Sequence, residues 1–396
     1  MGSLIQQCGA VTMLNLRSIP QRLAMSLSTV AAVALAVSVL LGFFALSNGF
    51  TQTMQGSGAN DVAMVYRKNS TSELSSVLLS DQIRILSAGP GIVQRNGHPF
   101  ISPELYLIVD GVKRSTGTAA NMPLRGMEQD GLAIRTNAHL VEGRMFQPGT
   151  NEIVVGRALL REFAGFELNQ TVRLGSNTWK VVGVFEAPGT VFESELWADA
   201  RVVQSLFNRG SSYQILRVKL ANARAVAAFK RFAESDPRLQ LEAQSEHDYY
   251  AKQSSGTVSL IQFLGIPLGF FMALGALAGA LNTMYASVAT RAAEIATLRI
   301  IGFSRFAAFF GTLVEAIALS LIGAIVGIVF CFLFFNNMTA STLGSSFTQV
   351  VFQLKLSPAI AAGALITAFF IGLIGGIFPG ISAATKRAQV QLAAAQ

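Results

Sequence analysis

Four stretches of this chain are almost free of charged side chains, and each is long enough to cross a lipid bilayer as a helix. Residues 23–60, 253–290 and 356–385 contain no Asp, Glu, Lys or Arg, and Glu315 is the only charged residue in 306–354. A helix needs roughly 20 residues to cross the hydrocarbon, so each stretch can hold one span. The predicted spans are 23–47, 258–288, 306–335 and 358–381.

The segment between the first two spans, residues 48–257, has the composition of a soluble domain. Residues 50–253 hold 42 of the 52 charged side chains, 22 basic and 20 acidic. We therefore expect a membrane protein with four transmembrane α-helices and a large α+β extracytoplasmic domain between helices one and two. The net charge of +8 comes mostly from the membrane part, which argues against nucleic-acid binding.

Strand and helix patterns within this domain support the α+β prediction. Ser70 to Glu73 has capping-box spacing, and the apolar positions after it predict a helix that Gly89 and Pro90 end. Strand–helix–strand order at 62–94 and again at 214–243 predicts a split core around an insertion subdomain at roughly 115–200. Strands are expected at 62–66, 91–94, 106–112, 153–155, 171–174, 179–186, 214–220 and 239–243. Helices are expected at 157–163 and 224–235.

Basic residues indicate the orientation of the spans. Seven Lys and Arg side chains, against the single acid Glu294, flank the ends assigned to the cytoplasm, and Lys355 alone lies on the other side. The seven are Arg17, Arg22, Arg291, Arg299, Arg305, Lys386 and Arg387. Short basic loops stay in the cytoplasm, so both termini are expected inside and the domain outside. The remaining segments are a cytoplasmic, interfacial segment at 1–22, a cytoplasmic connection at 289–305, an outer loop at 336–357 and a cytoplasmic tail at 382–396.

The connection 289–305 has the pattern of a short amphipathic helix. Ile295, Leu298 and Ile301 recur at helical spacing and predict one apolar stripe. Arg291 and Glu294 are one turn apart and can pair. A solvated turn whose charges only set topology is the alternative, but such a turn needs no ordered stripe.

Local signals also mark where this short helix ends and the next begins. Gly302 can supply the left-handed residue that stops a helix. Ser304 can cap the helix that follows. We therefore expect a rigid elbow between the second and third spans.

Glu315 is the one acid inside a predicted span. An intramembrane carboxylate is costly and needs a partner or a wet site. A polar contact with Asn282, Thr283 or a second copy of the chain is the favoured interpretation. A proton relay and a shallow interfacial position are the alternatives.

Glycines recur four residues apart in the spans, which lets helix backbones approach closely. Such pairs serve packing within one chain or between two copies. The pairs are Gly265/Gly269, Gly275/Gly279, Gly323/Gly327 and Gly372/Gly376.

Motifs for catalysis and metal binding are absent from the sequence. It contains no phosphate-binding Gly-x-x-x-x-Gly-Lys-Ser/Thr loop, no Gly-x-Ser-x-Gly elbow and no His-Glu-x-x-His helix. His98, His139 and His247 are far apart, so no catalytic or metal role is predicted for them. Cys8 and Cys331 both lie outside 48–257, which excludes a disulfide within the domain. Met13 is a candidate natural start, with 1–12 as an extension.

Three parts of the chain together resemble a known family, the ABC transporter permeases of the MacB/FtsX/LolC type. The elbow is similar to the family pattern Arg-x-x-Glu-Ile-x-x-Leu-Arg-x-x-Gly, through Arg291, Glu294, Ile295, Leu298, Arg299 and Gly302. Glu315 and the Gly323/Gly327 pair follow it as in the family. The domain resembles the MacB-type periplasmic core at Gly143-Arg144, 152–156 and 181–184, and 379–387 resembles the family's last span and basic exit. Asn169 stands where the family usually has Gly.

The resemblance implies a half-size permease of the DevC or LolC kind, without its own ATPase domain or cofactor. A separate ABC ATPase subunit would bind ATP and Mg²⁺, and the six matching elbow residues would couple to it. Glu315, Gly323, Gly327, Gly275 and Gly279 would pack the spans or a dimer with a second copy or paralogue. The expected setting is the bacterial inner membrane, with membrane lipid, a periplasmic adaptor and an outer-membrane channel as further partners.

Three functions remain open within this resemblance. The leading hypothesis is export of lipid-like, peptide or drug substrates by movement of the outer domain. The alternatives are lipoprotein release in the LolC manner and non-transporting regulation of wall hydrolases in the FtsX manner. The sequence names neither the substrate nor the choice between a homodimer and a heterodimer.

Overall fold

The computed structural model describes residues 3–237, 239–344 and 349–385. The chain divides into two compact units. The helical unit comprises the residues up to Asn48, Ile261–Met338 and the residues from Leu354 onward. The sheet unit comprises Gly49–Leu260 and Thr339–Gln353. Lys386, Arg387 and the rest of the predicted tail beyond Thr385 lie outside the described residues.

Eleven α-helices and sixteen strands are formed by the described part of the chain. The helices are α1 (Leu4–Arg17), α2 (Leu23–Gly56), α3 (Ser80–Leu86), α4 (Asp130–Ile134), α5 (Arg157–Glu162), α6 (Ala200–Leu206), α7 (Ala225–Ser235), α8 (Glu246–Thr290), α9 (Ala292–Ile300), α10 (Arg305–Phe334) and α11 (Pro358–Thr385). The strands are β1 (Val62–Arg67), β2 (Leu78–Leu79), β3 (Gln94–Arg95), β4 (His98–Pro99), β5 (Ile101–Val112), β6 (Ala119–Met127), β7 (His139–Gly143), β8 (Glu152–Gly156), β9 (Thr171–Leu174), β10 (Asn177–Glu186), β11 (Leu196–Asp199), β12 (Ser212–Tyr213), β13 (Ile215–Lys219), β14 (Leu241–Ser245), β15 (Thr339–Leu343) and β16 (Gln349–Gln353). Short 3₁₀ turns occur at Ile19–Arg22, Glu73–Ser75 and Val191–Ser194.

Four helices are long and apolar enough to cross a membrane: α2, α8, α10 and α11. Each predicted span falls within one of them, except that α10 ends at Phe334, one residue before the predicted end. Helices α2 and α8 are longer than their spans, and both contribute residues to the two units. Both therefore continue without a break from the apolar region into the sheet unit.

Helix α1 lies within the N-terminal segment 1–22 that the sequence predicted as interfacial. Its buried face carries Cys8, Val11 and Asn15. A methyl group on Gly311 of α10 would lie 2.7 Å from Val11 Cγ1, so the two helices are in close contact. Cys8 and Cys331 are both buried free thiols.

Most of the paired glycines pack helices of the same chain against each other. A methyl group on Gly323 would lie 2.8 Å from the carbonyl oxygen of Val30, and one on Gly327 would lie 2.7 Å from that of Ala34. Both carbonyls belong to α2, so α10 approaches α2 at backbone distance. Gly265 and Gly269 face side chains of α2, those of Phe43 and Leu40, and Gly372 and Gly376 face α10.

Gly275 is different, because a methyl group there would meet no atom within 4 Å. Its partner Gly279 has only Ala32 Cβ within reach, at 3.7 Å. The Gly275 side of α8 is therefore not occupied by the described residues of this chain.

The sheet unit is built on one sheet with strand order β14-β1-β13-β5-β6-β11-β8-β10-β7, and β9 pairs with β10. Strand β5 links its two halves. Residues 101–104 of β5 pair with β13, and residues 105–112 pair with β6. The change of partner occurs immediately after Glu104, which is fully buried.

Two of the hydrophobic clusters formed by the described residues lie on this sheet. One gathers residues of β1, β13, β14 and α7, including Val65, Val218 and Phe229. The other contains Trp179 of β10 and also Leu105 of β5, so it reaches beyond the predicted insertion at 115–200. The insertion is thus continuous with the domain's own sheet.

The helix predicted after Ser70 begins later than expected. A 3₁₀ turn at Glu73–Ser75 and strand β2 precede α3, which begins only at Ser80. The Glu73 side chain is buried and binds Arg125 instead of capping a helix.

At Asn169 the backbone is left-handed, with φ of 67°, as expected where the family has Gly.

The predicted outer loop 336–357 contains the antiparallel hairpin β15–β16. It packs on the sheet unit, where the Val351 N–H donates to Ser194 Oγ at 2.9 Å. Phe352 and Phe50 make an edge contact with ring centroids 5.5 Å apart. The connection between α10 and α11 is thus an ordered part of the sheet unit in its described residues.

We predict that Gly327→Val lowers the thermal unfolding midpoint of the detergent-purified chain, because overpacking at a backbone contact costs about 1–3 kcal/mol. Gly275→Val is the matched control and should leave the midpoint of the monomer unchanged. Equal midpoints for the two variants would contradict the assignment of Gly327 to packing within the chain.

Candidate functional site

Helix α9 forms a compact elbow between α8 and α10. Gly302 adopts φ of 105°, and the Phe303 N–H donates to the Leu298 carbonyl at 3.0 Å, which closes a Schellman stop. Ser304 Oγ accepts from the Ala307 N–H at 3.1 Å and caps α10. The stop and the cap are where the sequence predicted them, since both depend on local signals alone.

The faces of α9 differ from the predicted stripe at one position. Ile295 is buried and Leu298 is half-buried, whereas Ile301 is 68% exposed. The helix ends at Ile300, and Ile301 is its C-cap residue. Six positions after Ile295, it lies roughly 120° around the helix axis from that residue. Ile300 and Ile301 together form an exposed apolar tip.

Glu315 is buried and is held by two arginines. Arg291 Nη1 donates to Glu315 Oε2 at 3.1 Å, and Arg22 Nη2 lies 3.4 Å from Oε1. The Ser287 hydroxyl donates to Oε1 at 3.4 Å. These contacts join α10 to the end of α8, to the residue before α9 and to the turn that leads into α2.

The expected partners of Glu315, Asn282 and Thr283, are therefore wrong. Asn282 is exposed, and the Thr283 hydroxyl donates to the Gly279 carbonyl of its own helix at 2.9 Å. The true partners come from the cytoplasmic ends that were predicted by charge. Glu315 is neutralised by Arg22 and Arg291, which lie at the ends of the spans nearest to it.

Arg291 also binds two residues besides Glu315. Its Nη2 donates to Asn15 Oδ1 of α1, and its Nε donates to Glu294 Oε2 at 3.1 Å, so the predicted Arg291–Glu294 pair is present. Arg291 is 5% exposed and Asn15 is 2% exposed. We call the residues Asn15, Arg22, Ser287, Arg291 and Glu315 the Glu315 cluster.

The remaining predicted elbow residue, Arg299, donates from Nη1 to the Ala384 carbonyl of α11 at 3.3 Å. Arg291 and Ile295 thus face inward, while Glu294 and the Ile300–Ile301 tip face outward. The geometry separates residues that hold the elbow in place from residues that are available to another protein.

Sequence reasoning missed Asn15, Arg22 and Ser287 as members of this site. One signal could have found Arg22, since an acid in a span calls for a base at the nearest membrane face. Asn15 and Ser287 carry no such signal, because their role depends on how α1 and α8 pack. Among the described residues, no group of His, Cys, Asp and Glu could hold a metal ion.

The fold and the elbow define a multi-span membrane protein with a large sheet domain and an anchored elbow helix. Two family models match the chain: the MacB-like periplasmic core domain over residues 26–234 and the FtsX-like permease C-terminal domain over 267–388. The chain therefore belongs to the ABC transporter permeases of the MacB/FtsX type.

Two relatives share this assignment. The chain is 25% identical over 401 residues to the uncharacterized ABC transporter permease YvrN of Bacillus subtilis, covering 93% of each chain. It is 23% identical over 228 residues to the uncharacterized ABC transporter permease MJ1507 of Methanocaldococcus jannaschii, covering 55% of each.

Two solved structures are similar to about half of the chain. The extracellular domain of the noncanonic ABC-type transporter YknZ from Gram-positive bacteria matches 46% of this chain and 98% of its own, at 15% identity and a TM-score of 0.35. The periplasmic region of MacB from Actinobacillus actinomycetemcomitans matches 53% and 97%, at 13% identity and a TM-score of 0.37.

We predict that Glu315→Gln destabilises the purified chain by on the order of 3 kcal/mol, because Arg22 loses its contact with Glu315 and the buried Arg291 keeps only the exposed Glu294 as a counter-charge. The measurement is the thermal or denaturant midpoint in detergent. Glu294→Gln, at a carboxylate that is 54% exposed, is the control and should cost under about 0.5 kcal/mol. Similar losses in both variants would refute the special role of Glu315.

Proposed function

We propose that this chain is the membrane subunit of an ABC transporter whose ATP and Mg²⁺ are bound by a separate ATPase subunit. The family assignment supports the permease role, and the sequence contains no phosphate-binding loop of its own. The observation that carries the proposal is the anchored elbow. Its inner face is fixed by the Glu315 cluster, and its apolar tip is open to a partner.

The ATPase would contact the outward side of α9. Ile300 and Ile301 are 65% and 68% exposed, and Glu294 lies on the exposed side of the same short helix. Exposed paired isoleucines beside a charge suit a protein groove. Arg291 and Ile295 would position the elbow, and Leu298 and Arg299 would link it to the bundle.

The sheet unit would lie outside the inner membrane, with both termini in the cytoplasm. The matched family model is described as a periplasmic core, and seven bases against one acid flank the opposite ends of the spans. Continuous helices α2 and α8 would then carry movement of the elbow to the outer domain.

Substrate would be handled by the outer domain and not through a polar pore. Glu315 is the only charged residue within the predicted spans, and it is already bound by two arginines. Lipid-like, peptide or drug substrates passed to a periplasmic adaptor and outer-membrane channel fit this arrangement. A second permease copy or paralogue would pack against the Gly275 side of α8, which the described residues of this chain leave open.

The decisive experiment is affinity purification of the tagged chain from its native membranes, followed by a Mg²⁺-ATP hydrolysis assay and mass spectrometry. We expect an ABC ATPase in the complex and hydrolysis that the chain lacks by itself. Purification that repeatedly yields no nucleotide-hydrolysing subunit would overturn the proposal. Other captured proteins would distinguish the functions. An adaptor would indicate export, a wall hydrolase would indicate regulation, and a lipoprotein chaperone would indicate lipoprotein release.

We predict that the double variant Ile300→Ser, Ile301→Ser loses most of the bound ATPase, because the apolar tip provides the contact. Its thermal midpoint should stay near that of the wild type, since both side chains are exposed. Ile85→Ser, at an exposed isoleucine of α3, is the matched control and should retain the ATPase. Full retention by the double variant would exclude the tip as the docking surface.

The orientation is testable with single cysteines in a background where Cys8 and Cys331 are replaced by Ala. Ser115→Cys, in an exposed turn of the sheet unit, should react with an impermeant thiol reagent added to intact spheroplasts. Ile301→Cys should react only after the membrane is opened. The reverse labelling pattern would invert the proposed topology.

A further inference from the structure

The sheet unit contains a second group of buried charges, separate from the elbow. It surrounds Glu104, where β5 changes its strand partner. Each member is less than 5% exposed. The members, which we call the Glu104 cluster, are Glu73, Glu104, Arg125, Arg135, Glu195, Arg217 and Glu246. Four carboxylates therefore face three guanidinium groups with almost no access to water.

Two of the arginines are matched by two of the carboxylates. Arg135 makes a two-pronged contact with Glu104, with Nη1–Oε1 at 2.8 Å and Nη2–Oε2 at 2.7 Å. Arg217 binds Glu104 as well, and its Nε donates to Glu246 Oε1 at 2.8 Å. Arg135 and Arg217 thus balance the charges of Glu104 and Glu246.

Arg125 is the arginine that binds Glu73 and Glu195, and its Nη1 also donates to Glu104 Oε2 at 3.0 Å. Its Nη2 and Nε donate to Glu195 at 2.6 and 2.7 Å, and its Nη1 donates to Glu73 Oε2 at 2.7 Å. Within the described residues, these are the only ion pairs that Glu73 and Glu195 make. One guanidinium cannot neutralise two carboxylates, so we assign the surplus negative charge of the cluster to the two carboxylates that depend on Arg125.

The surroundings, as far as the chain is described, offer no further cation. Tyr106 stacks on Arg125 with Cζ 4.7 Å from the ring centroid, and Trp197 Nε1 donates to Glu195 at 2.8 Å. From α8, the neutral phenols of Tyr249 and Tyr250 face the cluster, since burial raises the pKa of both. A cavity of about 30 Å³ borders Glu73, Glu195 and Arg125, with room for about one or two waters.

An uncompensated carboxylate at this depth is far less stable than its protonated form. Burial raises the pKa of the Glu195 carboxyl, Arg125 opposes that rise, and the charge of Glu73 adds to it. Because Glu73 and Glu195 share Arg125, one negative charge of this group stays uncompensated unless a proton binds.

We propose that the Glu73–Arg125–Glu195 group binds one proton at neutral pH, which makes the seating of the α8 start on the sheet sensitive to pH. The link to α8 is Glu246, the first residue of that helix. Glu246 binds Arg217 through one oxygen and accepts the Ala59 N–H through the other at 3.1 Å. Loss of the proton leaves a net negative charge inside the cluster that holds this helix start.

The direction of the pH effect follows from proton counting. The folded chain keeps a proton that the unfolded chain releases above about pH 4.3, the ordinary value for Glu. The folding equilibrium constant therefore decreases as pH rises from there to the folded-state pKa, by up to about tenfold per pH unit. Above the folded-state pKa this contribution is constant.

The first test compares infrared spectra of the full-length wild type and its variants at pH 7, in detergent. We expect the C=O band of a buried protonated carboxylic acid in the wild type, and its loss in Glu73→Gln or in Glu195→Gln. Glu152→Gln is the matched control, because the hydrogen bond from Arg144 lowers the pKa of Glu152 to about 2. An unchanged band in both cluster variants would overturn the proposal.

The second test measures the unfolding midpoint as a function of pH. It keeps the proposal testable if one of the two variants folds poorly. Unfolding midpoints between pH 5 and 8 should fall less steeply for Glu73→Gln than for the wild type, because the neutral amide replaces the protonated acid. Identical slopes would contradict the proposal. Exchanging Na⁺ for K⁺ or choline should change nothing, and a dependence on the alkali cation would show a bound metal ion in place of the proton.

Discussion

The contact of Glu315 with Arg22 and Arg291 is the interaction on which the arrangement of the elbow and the helices around it depends. A lone carboxylate or guanidinium in this apolar setting would cost several kcal/mol, so each group requires the other. Their burial together fixes the end of α8, the start of α9 and the entrance to α2 relative to α10. A short helix held in this way can transmit force as a solid body, which a flexible loop cannot do.

Local signals explain what the sequence could predict of this region. Charge-free stretches define the four long helices because the bilayer requires length and apolarity alone. Gly302 predicted the end of α9 and Ser304 predicted the start of α10, because both residues act through hydrogen bonds to backbone groups a few residues away. The coupling role of the elbow residues, by contrast, stays a prediction. The stripe was wrong at Ile301 because a residue six positions after Ile295 lies roughly 120° around the helix from it.

Long-range pairing explains what the sequence could not predict. Asn15 meets Arg291 across 276 positions, and Arg22 meets Ser287 across 265. In the sheet unit, Arg125 and Arg217 are each flanked by apolar residues of their strands, which indicates burial but does not identify their partners. Glu73 was assigned to a cap for the same reason, since its spacing fits one and its true partner is 52 residues away. The hairpin β15–β16 was likewise predicted as a loop, because its packing partner Ser194 is remote in sequence.

A double-mutant cycle on Glu315→Gln and Arg291→Gln, with ATP hydrolysis by the reconstituted complex as the readout, tests the central claim most directly. If the ion pair positions the elbow, each single variant loses coupling and the double variant is little worse than either one. The interaction energy should then exceed about 1 kcal/mol. Losses that simply multiply in the double variant would show that the two residues act independently and would contradict the account.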